Sequence, residues 1–96
     1  MNPVFQRKVE SALIEFVQER DEILAIDKLV LDGENLEYNL LLKRYPSKRL
    51  SQEFYSFYDK LSTEVLPIKG SYYIMFWPVD LSNDSSREKI YERRAA

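Results

Sequence analysis

Residues 23–45 read ILAIDKLVL, then DGEN, then LEYNLLLKRY. The first run is rich in Ile, Leu and Val, which favour the pleated strand surface. The last run alternates, with Leu36, Tyr38, Leu40 and Leu42 on one face and Glu37, Asn39 and Lys43 on the other. Between them stand Asp32, Gly33, Glu34 and Asn35. Gly accepts positive φ without a steric penalty, and Asp and Asn hydrogen-bond their own backbone in turns, so the stretch predicts an antiparallel hairpin.

On the N-terminal side, Asn2 can cap a helix and Pro3 suits a first helical position. Phe5, Val9, Ala12, Leu13, Phe16 and Val17 then fall on one helical face, opposite Arg7, Lys8, Glu10, Glu15 and Glu19. This predicts an amphipathic helix from residue 3 to about residue 20, packed on the hairpin. On the C-terminal side, Pro46 cannot continue a central strand and Ser47 can cap. Leu50, Phe54, Phe57, Tyr58 and Leu61 keep helical spacing, which predicts a second helix over 47–62. Pro67 and Gly70 punctuate the chain before an aromatic strand over 71–79, with Tyr72, Ile74 and Phe76 on one face and Tyr73, Met75 and Trp77 on the other.

From residue 80 the pattern weakens. Ser85 stands three positions before Glu88, the spacing of a capping box, so the tail reads as a short helix that frays or docks on a partner. The expected fold is therefore one α+β domain over 1–96, in the order α-β-β-α-β plus a short C-terminal segment, with both helices on one face of a small sheet. Its expected core is Phe5, Val9, Leu13, Phe16, Leu24, Ile26, Leu40, Leu42, Leu50, Phe54, Phe57, Leu61, Ile74 and Phe76.

Composition narrows function mainly by exclusion. The 96 residues include no Cys and no His, so disulfides, thiolate zinc sites, cysteine nucleophiles and imidazole bases are ruled out. No Gly-rich phosphate loop or metal-ligand spacing occurs, and neither a metal nor another cofactor is expected. Asp32 and Glu34 lack the rest of a calcium loop, and Asp27, Asp32, Glu34 and Glu37 read as charges that keep a sheet edge soluble. Tyr55, Tyr58, Glu53 and Asp59 offer acid-base groups without a site to tune them, so an enzyme is not expected. Apolar runs are too short to span a bilayer, and residues 1–22 carry acids in place of a signal peptide's apolar stretch. The expectation is a cytoplasmic protein without a membrane partner.

Two groups of residues remain as candidate binding sites. A third strand apolar on both sides should leave Tyr73, Met75 and Trp77 on an open sheet face, beside Leu41 and Tyr45 from the second strand. Exposed aromatic patches of this kind mark interfaces, so the expected function is a protein-binding module, an adaptor, regulator or inhibitor, that pairs with another protein or with itself as a homodimer. The alternative is nucleic-acid binding by Lys43, Arg44, Lys48 and Arg49, which bracket Tyr45 near the start of the second helix. A net charge of −2 gives that alternative little long-range attraction for a polyanion.

Overall fold

The computed structural model describes residues 3–31, 35–65, 71–81 and 87–93. Helix α1 (Pro3–Gln18) is followed by strands β1 (Ile23–Val30) and β2 (Asn35–Leu42), helix α2 (Lys48–Val65) and strand β3 (Ser71–Pro78). A single 3₁₀ turn (Val79–Leu81) precedes strand β4 (Glu88–Glu92). The four strands form one mixed sheet in the order β3-β2-β1-β4. The hairpin is antiparallel as expected, and the Leu31 amide donates to the Asn35 carbonyl at its closed end. The turn residues Asp32, Gly33 and Glu34 lie outside the described residues, as do Asn2 and Ser85.

Strand β2 pairs with β3 in parallel, and α2 is the crossover that such pairing requires. Both helices cover one sheet face. Phe5, Val9, Leu13, Phe16 and Val17 of α1 and Leu50, Phe54, Leu61 and Val65 of α2 pack on Leu36, Tyr38, Leu40 and Leu42 of β2 and Ile74 of β3. Leu24 is only half buried, although it was expected in the core. A bulge between Ile23 and Ala25 absorbs one residue there, so Ile23 and Ile26 carry the core contacts of β1.

Residues 88–92 correct the helix expected at the C-terminal end. They form an edge strand paired antiparallel with β1. Arg93 anchors it, since its guanidinium donates to the carbonyls of Val17, Arg20 and Ile23, where α1 gives way to β1. A cation at a helix C-terminus also meets the negative end of the helix dipole. Arg20 closes the same junction by stacking on the Phe16 ring, donating to the Phe16 carbonyl and pairing with Glu53 of α2 at 3.0 Å.

Inside the fold, the polar side chains of Glu10, Tyr38 and Lys28 are matched across elements. Glu10 of α1 accepts from the buried Tyr38 hydroxyl at 2.8 Å and from Lys28 Nζ at 3.1 Å, which ties the helix to both central strands. Burial and the nearby Glu10 carboxylate hold the Tyr38 hydroxyl well above its ordinary pKa. On the opposite face, Arg87 pairs with Glu37 at 2.7 Å and reaches Asp27 at 4.0 Å. Asp27 and Glu37 therefore do not guard a sheet edge as expected. They belong to the two central strands, and their carboxylates face a buried guanidinium.

Candidate binding groove at the β3 edge

The candidate surface begins where β2 ends. After Leu42 the chain bends through Lys43 and Arg44, and Pro46 and Ser47 lead into α2. Ser47 caps that helix by accepting from the Leu50 amide at 3.1 Å. Its own amide and hydroxyl donate to the two carboxylate oxygens of Glu22, which keeps the Glu22 carboxyl below its ordinary pKa. A carboxylate of the chain itself thus occupies the anion-attracting end of α2, the place that would otherwise favour a phosphate.

The parallel register sets Trp77 beside Leu41 and Pro78 beside Leu42. It also places α2 against β3, where the Ser62 and Tyr72 hydroxyls share a hydrogen bond of 2.8 Å. Beside them runs an open groove of about 550 Å³. Its α2 wall carries Tyr55, Tyr58 and Asp59, and Phe54 and Pro46 also line it. The opposite wall is β3, which contributes Ile74, Met75 and Phe76. Successive strand residues point to opposite faces, so a groove lined by all three follows the strand's edge. Among the described residues no strand pairs with that edge.

At the Pro78 end, Pro46 and Phe76 also line a second pocket of about 500 Å³ together with Lys43, Arg44, Tyr45, Trp77 and Pro78. The two hollows adjoin, with Pro46 and Phe76 in the walls of both. Tyr45 is 97% exposed and Trp77 38% exposed.

The structure brings together some of the sequence-predicted residues and separates others. Met75 lines the groove, and Trp77, Tyr45, Lys43 and Arg44 line the pocket. Tyr73 is 57% exposed but lines neither. Leu41 is 1% exposed, which removes it from any binding surface of the folded chain. It shares the second sheet face with Ala25, Asp27 and Asn39, all buried, so the open face expected there is confined to its β3 margin. Lys48 and Arg49 are exposed on α2 outside both hollows, and Arg49 pairs with Glu53 at 2.9 Å.

The sequence offers Tyr55 as an acid-base group and Tyr58 both as one and as part of the apolar face of the second helix, and the structure places both in the groove wall. Burial raises the Tyr58 pKa, whereas the Arg49 guanidinium, assisted by Arg20, lowers that of Glu53. Among the described residues no group of three or more acidic side chains is placed to hold a metal ion. No described helix is long and apolar enough to cross a membrane. Compared with known proteins, the chain matches no protein-family model, no curated protein and no solved structure.

Proposed function

We propose that this protein is a non-enzymatic protein-binding module that receives an extended segment of a partner along the free edge of β3. The observation that carries the reading is the groove between that edge and α2, lined by Tyr55, Tyr58, Met75 and Phe76. An edge strand offers unpaired N–H and C=O groups to an added strand, and the neighbouring wall supplies side-chain contacts that give selectivity. Aromatic and Met side chains are enriched at interface centres and are abundant here.

The test is a pull-down from the source cell with wild type and with the Tyr55→Ser/Met75→Ser variant, each with and without nuclease. Neither position belongs to the fully buried core, so the variant should keep the wild-type circular dichroism. The expected result is a protein captured by wild type, lost with the variant and indifferent to nuclease. Capture that survives the variant, or that nuclease abolishes, would overturn the reading. Light scattering at tens of micromolar identifies the other possible occupant. A mass of two chains that falls to one in the same variant would make a second copy the partner.

A further inference from the structure

We propose that the partner segment is acidic, with Asp and Glu carboxylates seated against Lys43 and Arg44 where the β3 groove adjoins the pocket walled by Tyr45 and Trp77. This rests on the strand-edge reading and adds the chemistry of what docks there.

The pocket joins two features that favour one ligand class. Its surface is aromatic and apolar, from Tyr45, Phe76, Trp77 and Pro78, and its charged groups are Lys43 and Arg44 alone. Both cations are exposed and make no ion pair among the described residues, as is also true of Arg7, Lys8, Lys48 and Lys60, but of these six cations Lys43 and Arg44 are the two that line the pocket of Tyr45 and Trp77. Main-chain pairing along β3 also ends here, because Pro78 is the last residue of the strand and has no N–H to donate. Beyond that residue an incoming segment can gain affinity only through its side chains, and the groups awaiting it are a flexible ammonium, a planar guanidinium and two ring faces.

A polynucleotide fits less well. It would need a longer run of cations than these two, the anion-attracting end of α2 already holds Glu22, and the chain as a whole is negative at −2. An acidic peptide asks for only a few local charges, and the apolar residues between its carboxylates can lie in the groove.

Trp77 is the only tryptophan, so its emission reports on this pocket without a label. The probe is an acetylated and amidated octapeptide alternating Glu with Val and Phe, so that side chains are its sole source of carboxylate. Controls replace every Glu with Gln or with Lys, and a short oligothymidylate tests the nucleic-acid alternative. The acidic peptide is expected to shift Trp77 emission and to bind about tenfold more tightly than the Gln peptide, an advantage that shrinks as salt rises. Lys43→Glu/Arg44→Glu should abolish that advantage while leaving the circular dichroism unchanged. The milder Lys43→Gln/Arg44→Gln variant should reduce it, and it serves as the test if the reversal misfolds.

Equal binding of the Glu and Gln peptides, both weakened by Tyr55→Ser/Met75→Ser, would overturn the acidic partner and leave strand-edge docking standing. If no peptide moves Trp77, this inference falls, and the pull-down decides docking independently. Displacement of the acidic peptide by oligothymidylate at physiological salt would overturn both readings.

Discussion

Two aromatic side chains of one set play opposite roles. Phe54 is 7% exposed and meets the rings of Phe16, Phe57, Tyr58 and Phe76. Phe54→Ala should leave a cavity and lower stability by about 3–5 kcal/mol in denaturant titration. Trp77 lies at the rim of its pocket, so Trp77→Ala should cost about 1 kcal/mol or less while abolishing the docking that the groove supports. Equal losses from the two variants at every protein concentration would place Trp77 in the core. Glu22 gives the second prediction at this scale. Its two hydrogen bonds from Ser47 favour the carboxylate and depress its folded pKa. The resulting stability is complete above the unfolded value of about 4.3 and disappears as pH falls through the lower folded value. Glu22→Gln should therefore be slightly less stable than wild type at neutral pH, with the gap closing on acidification. A gap that stays constant from neutral pH to pH 2 would show that the carboxylate's charge contributes nothing.

Among the elements, β4 depends least on its own composition and most on one side chain beyond its end. Arg93→Ala removes three hydrogen bonds from a guanidinium to main-chain carbonyls, and should lower stability by about 2–3 kcal/mol. Faster hydrogen exchange should accompany this loss, confined first to the β1–β4 pairing. An unchanged denaturant midpoint would mean that those carbonyls are equally well served by water. The helices and the first three strands were legible because their apolar residues recur at 3.6 or 2, as in Phe5, Val9 and Leu13 or Leu36, Tyr38 and Leu40. Strand β4 was not legible. A bulge opposite Ile26 and Asp27 lets the adjacent residues Ile90 and Tyr91 both pack on the core, and this erases the alternation that marks a strand. The bulge at Leu24 misled the core assignment in the same way. For the site, the aromatic side chains of β3 and the cations after β2 could be read directly. The groove could not, because it exists only once β3 pairs in parallel beside β2 and α2 lies against it. That arrangement is a matter of strand order, which periodicity does not encode.

At the scale of the molecule, the central strands are buried on both faces, and the sheet's outer members differ in what flanks them. Beside β3 stands a helix wall with a groove, whereas β4 is a short strand with Glu88, Lys89 and Glu92 exposed, a composition that discourages strand addition. Docking is therefore predicted at one edge only, and backbone cross-linking of bound peptide should label β3 and spare β4. The way the second edge is closed also sets a timetable. Arg93 bonds to Val17 across 76 positions, and β4 completes β1 from a similar distance. Chain elongation at about 5–20 residues per second puts several seconds between the appearance of β1 and that of its outer neighbour. Throughout that interval β1 and β2 can already pair, and the far side of β1 stands open. Pulsed hydrogen exchange during refolding should show amides of the β1–β2 hairpin protected before those shared with β4, since distant pairings carry the larger loop-closure cost. A molecule delayed at that stage offers its vacancy to the β4 of a neighbour, so the late arrival of five residues makes strand exchange between chains the misassembly predicted under crowded synthesis.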